Sequence, residues 1–223
     1  MTKQELLKQL YDDTLVGNGP AVLELTNQGL ALGILPEELL YEALIPSLEE
    51  VGARFERGDF FVPEMLIAGK AMAGALEILR PLLAETGVQT IGTIVMGTVK
   101  GDVHDIGKNL VNIMFEGAGF QVIDLGVQVA PEKFADAIRE HRPDIVGFSA
   151  FLTTTMPMFK ANINVLEKQG LRDQVIVMVG GAPVTQEYAD VVGADGYAAD
   201  ASAAVVRAKE LLASRRAAAP AQA

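Results

Sequence analysis

Apolar residues in the first part of the chain recur every three or four positions, which is the period of an α-helix. The turn sequence Gly17-Asn18-Gly19 interrupts this pattern, and prolines open the later segments at Pro20, Pro36 and Pro63. Pro46 lies inside the third segment and predicts a kink or a split there. Four helices with short connections predict a small antiparallel four-helix bundle over residues 1–87.

The period changes after residues 86–89, which we predict to be a hinge. Short apolar runs then alternate with helical patterns of about 10 to 16 residues, which is typical of parallel strands joined by right-handed helical crossovers. The predicted strands are Thr90–Met96, Gln121–Leu125, Asp144–Ala150, Gln174–Val179 and Gly196–Ala199. The fold class is therefore α/β, with a Rossmann-like (flavodoxin-like) five-stranded parallel sheet of order 2-1-3-4-5 over residues 88–213. We expect residues 214–223, which are rich in alanine, to be a disordered tail.

The loop after the first strand, Gly101 to Gly107, reads Gly-Asp-Val-His-Asp-Ile-Gly and leads into a helix predicted to begin near Asp105. In an open α/β sheet such loops lie at the carboxyl ends of the strands, where ligands bind. His104 is one of two histidines in the chain and follows Asp102 by two positions. A carboxylate at that spacing is able to hold an imidazole in one tautomer, as it does for many metal-ligating histidines.

Composition narrows the possible functions. The net charge of -11 and the pI near 4.6 argue against nucleic acid and anionic membranes as partners. The chain has no cysteine, which excludes disulfides, iron–sulfur clusters and thiolate zinc sites. Neither a dinucleotide-binding glycine motif nor a P-loop follows the first strand. There is no long apolar run, and we expect a cytoplasmic protein.

Three features together resemble the corrinoid-binding signature. They are the Asp-x-His-x-x-Gly pattern of Asp102, His104 and Gly107, a later strand that ends in Ser149, and the pair Gly180-Gly181. This signature is shared by the cobalamin module of methionine synthase, the B12-dependent mutases and the small corrinoid proteins of methyltransferase systems. The resemblance thus implies a cobalamin-binding protein.

The segment from Val51 to Glu64 resembles the helical cap of the methyl-transferring members, whereas mutases lack that cap in this form. With this segment included, the resemblance extends from residue 3 to residue 213. In size and plan the chain is most similar to the stand-alone corrinoid proteins that serve methylamines, methanol, glycine betaine or methoxyarenes. Two positions depart from the family pattern: Ser149-Ala150-Phe151 replaces the usual Ser-x-Leu, and Val62 stands where leucine is common.

The resemblance implies that cobalamin binds base-off, with His104 as the lower axial ligand of cobalt. Asp102 would accept a hydrogen bond from the other imidazole nitrogen, and the hydroxyl of Thr155 would extend the relay. A proton on that relay would weaken the imidazole as a donor to cobalt. The implied cofactor site consists of Gly101, Asp102, Val103, His104, Asp105 and Gly107 below the corrin, Ser149, Thr153, Gly180, Gly181 and Ala201 around the nucleotide tail, and Phe55 and Val62 above the corrin.

The function implied by the resemblance is a methyl carrier that cycles between Co(I) and methylcobalamin, not a complete catalyst alone. A substrate:corrinoid methyltransferase would load the methyl group, and a second methyltransferase would pass it to tetrahydrofolate or a thiol. A reductive activase is a further expected partner. Three alternatives remain at this stage: a cobalamin-responsive regulator, a B12-dependent isomerase subunit, and a simple metal site formed by His104, Asp102 and Asp105.

Each assignment also has a structural alternative. The Asp-x-His pair could be a capping pair at the surface, and Thr153 to Thr155 could cap the following helix. His141 is expected to be a solvated residue at a helix end. Of Phe55, Phe60 and Phe61, we expect at least one to belong to the core of the bundle.

Overall fold

A computed structural model describes residues 1–86 and 90–218 of the chain. The chain divides into two compact units, one of Met1–Ile91 with Ile113–Phe120 and the other of Gly92–Asn112 with Gln121–Ala223. Apart from Thr86, the predicted hinge lies outside the described residues. The predicted domain boundaries stay a prediction.

The first unit is helical, as predicted. Its helices are α1 (Lys3–Leu15), α2 (Gly19–Ala31), α3 (Pro36–Leu39), α4 (Ile45–Glu56) and α5 (Val62–Thr86). A capping box formed by Thr2 and Glu5 starts α1. The predicted split is confirmed, because one π-helical turn, Leu40–Leu44, separates α3 from α4. Pro46 lies in the first turn of α4, directly after the π-helical turn, and it has no N–H to donate to that turn.

The large buried side chains that helices α1 to α5 contribute to the core of this unit are aliphatic or methionine. Its fully buried side chains include Leu6, Leu10, Leu39, Leu44, Leu48, Met65, Met72 and Leu79. The expectation that one of three phenylalanines joins this core is wrong, since Phe55 and Phe60 are half-buried and Phe61 is 64% exposed. The N–H groups of Asp59 and Phe60 donate back to the carbonyl of Arg54, so the chain leaves α4 in a tight turn at the surface.

The rest of the chain alternates strands with helices. The strands are β1 (Thr93–Thr98), β2 (Gln121–Asp124), β3 (Ile145–Ser149), β4 (Ile176–Gly180) and β5 (Gly196–Tyr197). The helices are α6 (Ile106–Gly117), α7 (Pro131–His141), α8 (Pro157–Lys168), α9 (Gln186–Val192) and α10 (Ala201–Ala218). All strand pairs are parallel and the order is β2-β1-β3-β4-β5, which confirms the predicted topology.

The central strands carry the core of the sheet. Ile94, Val95, Val146, Phe148 and Val177 are all buried, as expected for parallel strands covered by helices on both faces. β1 begins three residues later than predicted, at Thr93, because its pairing with β2 starts there. β4 begins after a turn of 3-10 helix, Arg172–Gln174, rather than at Gln174.

The predicted disordered tail begins too early, because α10 continues to Ala218. Alanine has the highest helix propensity, and two arginines tether this end of α10. Arg215 donates to the carbonyl of Asp173, and Arg216 lies 3.8 Å from the carboxylate of Asp144. Residues 219–223 lie outside the described part of the chain. Among the described helices, none is both long enough and apolar enough to span a membrane.

Candidate functional site

The carboxyl edge of the sheet brings three distant segments together. Thr98 pairs with Ser149, and Ser149 pairs with Gly180, so β1, β3 and β4 end side by side. The N–H of Val99 donates to the carbonyl of Ser149 at 3.0 Å, and the N–H of Ala150 donates to that of Gly180 at 3.1 Å. The loops that follow these strands therefore start next to one another, as the ligand crevice of an open α/β sheet requires.

Asp102 is the centre of this edge, with an exposed side-chain fraction of 0%. Its Oδ1 accepts the N–H of His104 at 3.0 Å and lies 2.7 Å from His104 Nδ1. Its Oδ2 accepts the N–H of Phe151 at 2.8 Å, the N–H of Leu152 at 3.2 Å and the hydroxyl of Thr155 at 2.7 Å. The surface-pair alternative is wrong, because this carboxylate is buried and satisfied by groups from two loops.

These bonds stabilise Asp102 as a carboxylate. Burial by itself raises the pKa of the carboxyl group, but the donors, Thr155 first and then the backbone and ring of His104, outweigh it and hold the pKa well below its usual value. The Thr155 hydroxyl also lies 2.8 Å from the carbonyl of Leu152. Since this hydroxyl has one hydrogen, it donates to the carboxylate or to the carbonyl, but not to both at once.

His104 presents one free nitrogen to its surroundings. Asp102 as a carboxylate only accepts hydrogen bonds, so Nδ1 carries a hydrogen and, in the neutral imidazole, the lone pair lies on Nε2. The side chain of His104 is 43% exposed. Its carbonyl accepts the hydroxyl of Thr98 at 3.0 Å, which ties the loop to the end of β1. The arrangement suits a nitrogen ligand whose tautomer is fixed by a carboxylate.

The two loops that form this site carry four large apolar side chains that are exposed to solvent. This apolar collar consists of Val103 (57% exposed), Ile106 (68%), Phe151 (51%) and Leu152 (40%). The ring of Phe151 stacks on the imidazole of His104, with centroids 4.4 Å apart and planes at 27°. Exposed apolar side chains clustered around a polar group mark a binding surface rather than ordinary protein exterior.

The end of β2 and the loop after it also contact the site, and the sequence analysis did not predict these contacts. Lys108 is buried at the start of α6, and its Nζ lies 2.5 Å from Oδ2 of Asp124, the last residue of β2. The N–H of Gln128 donates to the backbone carbonyl of Asp102 at 3.0 Å. Gln128 adopts a left-handed backbone conformation with φ 54°, which is uncommon for a residue other than glycine. The sequence feature that could have revealed this contact is Lys108 itself, a lysine in the first turn of a largely apolar helix.

The two glycines after β4 have different reasons to be glycine. Gly181 has φ +133°, and a Cβ there would lie 1.9 Å from the carbonyl oxygen of Ala150. The backbone alone therefore requires glycine at that position. At Gly180 the nearest atom to such a Cβ is the carbonyl oxygen of Ala198 at 3.9 Å, so the fold tolerates a side chain. Gly101, with φ +87°, forms the turn that leads into the loop of Asp102 and His104.

The remaining residues assigned to the cofactor differ in accessibility. Asp105, Gly107 and Thr153 are exposed at this edge, and Ser149 is half-buried at the end of β3. Ala201 is 4% exposed and is the first residue of α10. Phe55 in α4 and Val62 at the start of α5 are half-buried in the first unit. The roles of all these residues toward a ligand stay predictions.

The structure decides two of the structural alternatives, the capping role of Thr155 and the position of His141. Thr155 does not cap α8, because Met156 occupies the N-cap position and forms no side-chain capping bond. The hydroxyl of Thr155 instead bonds to Asp102. His141 is the exposed last residue of α7, as expected.

The side chains at this site that could ligate a metal suit a ligand that already contains its metal. Within residues 1–86 and 90–218, no three carboxylate or imidazole side chains are grouped so that they could hold a metal ion. A simple metal site at His104 is therefore not supported. A single imidazole nitrogen among exposed apolar side chains would suit a metal whose other coordination positions are filled by a bound macrocycle.

Comparison with known proteins gives consistent results. Two family models, both described as a B12 binding domain, match residues 6–80 and 92–206. The chain is 44% identical to dimethylamine corrinoid protein 1 of Methanosarcina acetivorans over 96% of its own length and 100% of that protein. It is 45% identical to the dimethylamine corrinoid protein of Methanosarcina barkeri, over the same shares of the two chains.

Solved structures agree with the sequence matches. The methanol:cobalamin methyltransferase complex MtaBC from Methanosarcina barkeri matches 95% of this chain and 81% of its own chain, with a TM-score of 0.84 and 28% identity. A cobalamin-binding protein from Desulfitobacterium hafniense DCB-2 matches 90% of this chain and 95% of its own, with a TM-score of 0.70 and 31% identity.

Proposed function

This chain belongs to the corrinoid proteins of methyltransferase systems, with cobalamin as the cofactor, and from this premise we propose that it carries methyl groups on cobalt with His104 as the lower axial ligand. The observation that carries this proposal is the pairing of a buried carboxylate with a half-exposed imidazole, 2.7 Å apart, inside an apolar collar. Bound cobalamin supplies the methyl-accepting and methyl-donating chemistry.

The residues of this chain supply ligation and its control. Asp102 keeps a hydrogen on Nδ1 of His104, so in the neutral imidazole the lone pair that a metal would take lies on Nε2. A hydrogen bond from an imidazole to a carboxylate also raises the basicity of the ligating nitrogen. Thr155, bonded at 2.7 Å to the other carboxylate oxygen, stabilises the charged form that this requires. The collar excludes water from the imidazole once a flat ligand covers it.

The first experiment is reconstitution with hydroxocobalamin, followed by desalting and a visible absorption spectrum. We expect the wild-type protein to retain the cofactor with a base-off, histidine-ligated spectrum, and His104→Ala to retain less of it with an altered spectrum. His141→Ala is the matched control, because the exposed histidine at the end of α7 is the other histidine of the chain. Loss of all cofactor from the wild type, or identical spectra for wild type and His104→Ala, contradicts the proposal.

We propose a methylamine:corrinoid methyltransferase as the partner that loads the methyl group. The support is the resemblance to dimethylamine corrinoid proteins over nearly the whole chain. A second methyltransferase, with tetrahydrofolate or a thiol as acceptor, and a reductive activase complete the proposed cycle. The comparisons give no support to the alternative of a cobalamin-responsive regulator.

The donor side is tested by mixing the reduced, cobalamin-loaded protein with purified dimethylamine or methanol methyltransferases and their substrates. The absorption change that accompanies methylation of cobalt should be fastest with the dimethylamine enzyme. A faster reaction with the methanol enzyme would contradict the proposed donor while leaving the carrier function intact.

A further inference from the structure

Phe151 touches the His104–Asp102 pair in two ways. Its ring stacks on the imidazole at 4.4 Å between centroids, and its N–H donates to Oδ2 of Asp102 at 2.8 Å. The ring is nevertheless 51% exposed, so burial of its own surface does not explain its position. The stacked ring stands where the family pattern has an aliphatic leucine, which has no aromatic face to offer.

The hydrogen bond to Asp102 restrains the imidazole at Nδ1 but leaves some freedom in the orientation of its plane. Rotation about the bond that joins the ring to the histidine side chain is a broad torsion with weak intrinsic preferences. Because Nδ1 lies off this axis, its hydrogen bond to Asp102 opposes the rotation, but a single hydrogen bond tolerates small changes in the ring plane. A flat neighbour at stacking distance opposes this motion, because tilting the imidazole separates or collides the two faces.

We propose that Phe151 is a positioning residue that holds the plane of the His104 imidazole and so presents Nε2 to cobalt in one orientation. Cobalamin binding then costs less conformational entropy, because the axial ligand is ordered in advance. This inference rests on the proposed role of His104 as the axial ligand. It assigns to the Phe151 side chain an effect that acts through another residue rather than through direct contact with the corrin.

The test compares Phe151→Leu, which restores the usual family residue, with Phe151→Tyr, which keeps the ring. We expect Phe151→Leu to weaken hydroxocobalamin binding about three- to tenfold, the range that corresponds to one aromatic pair, and Phe151→Tyr to remain within about twofold of wild type. In the Co(II) form, Phe151→Leu should broaden the nitrogen splitting of the electron paramagnetic resonance spectrum. A purely structural role for the ring would leave that splitting unchanged.

A double-mutant cycle separates positioning from direct contact with the corrin. In a His104→Ala background, Phe151→Leu should no longer weaken binding of hydroxocobalamin. Val103→Ala, which shortens another exposed side chain of the collar without any stacking on His104, is the control and should cost the same in both backgrounds. An undiminished effect of Phe151→Leu in the His104→Ala background would overturn the inference.

A second measurement needs no cofactor. In a His141→Ala protein the only remaining imidazole is that of His104, and its ring order parameter is measurable by NMR relaxation. We expect a lower order parameter in Phe151→Leu than in Phe151→Tyr, and equal values would overturn the inference. If His104→Ala itself leaves affinity and spectrum unchanged, the proposed function fails together with it. If only the Phe151 variants are silent, the proposed function stands and the positioning role fails.

Discussion

At each edge of the sheet an aspartate accepts at least one backbone N–H group, but the side-chain partners of the two aspartates differ. At the amino edge, Asp195 accepts the N–H of Val177 at 2.7 Å and a guanidinium N–H of Arg172 at 2.8 Å. At the carboxyl edge, Asp102 accepts the N–H groups of Phe151 and Leu152, but its side-chain partners are a histidine and a threonine. Asp195 is 35% exposed, whereas Asp102 is fully buried.

The difference favours Asp102, rather than Asp195, as the carboxylate with the proposed functional role. Where a carboxylate only ties a loop to a strand, an arginine supplies a permanent positive charge and solvent reaches the pair. A buried carboxylate without such a cation is costly, and its charge is stabilised by hydrogen bonds alone. The one imidazole that bonds to Asp102 is that of His104, whose side chain is 43% exposed. Such a local cost is expected at functional sites.

The largest effect is expected from removing each carboxylate in turn. Asp102→Ala leaves buried backbone N–H groups unpaired, and we expect it to lower the free energy of unfolding by about 3–5 kcal/mol. Asp195→Ala removes a half-exposed group and should cost about 1–2 kcal/mol. Urea unfolding followed by circular dichroism measures both. Equal losses would remove the distinction between the two edges.

The glycines after β4 sharpen the description of the carboxyl edge. Gly181→Ala should lower the free energy of unfolding by about 2–3 kcal/mol, because its backbone conformation and the contact with Ala150 exclude a Cβ. Gly180→Ala should change it by less than about 0.5 kcal/mol. If Gly180 lines the slot of the nucleotide tail, Gly180→Ala will still weaken hydroxocobalamin binding. Unchanged affinity in this stable variant would argue against that assignment.

Variants of Thr155 test how much the charged form of Asp102 stabilises the fold, because that contribution depends on pH. Thr155→Val removes the strongest donor to the carboxylate and should cost about 1.5–3 kcal/mol at neutral pH, while Thr155→Ser keeps the hydroxyl and serves as the control. Because the folded pKa of Asp102 is depressed, its contribution is fully present above about pH 4 and is lost as the pH falls through the folded pKa. Thr155→Val should therefore unfold at a higher pH on acid titration. Identical acid midpoints for the valine and serine variants would contradict this.

His104→Ala is expected to have the smallest effect on stability. The imidazole is half-exposed, and Asp102 keeps its other donors, so the loss should be about 1 kcal/mol or less in urea unfolding. The same variant should show the largest loss of cobalt ligation. A destabilisation as large as that of Asp102→Ala would mean that the pair is a structural tie like that of Asp195.

The sequence was sufficient for the features that depend on local patterns. Helical and strand periodicities predicted the bundle and the sheet order, and the Asp-x-His spacing predicted the bond between Asp102 and His104. Boundaries were less accurate where pairing rather than propensity decides them, as at the start of β1. Alanine-rich composition was misleading at the end of α10, where two arginine tethers accompany the helix.

Contacts between distant segments depend on the tertiary structure. The sequence determined that a carboxylate and an imidazole would share one loop, because two residues in a turn are neighbours in any fold. Only the register of β1 against β3 decided that the N–H of Phe151 and the hydroxyl of Thr155 would reach Asp102, some fifty positions away. The same register stacked Phe151 on His104, whereas the register of β3 against β4 forced glycine at position 181. The reason is physical: side-chain periodicity is a property of each segment, whereas burial, stacking and shared acceptors exist only once the segments are packed together.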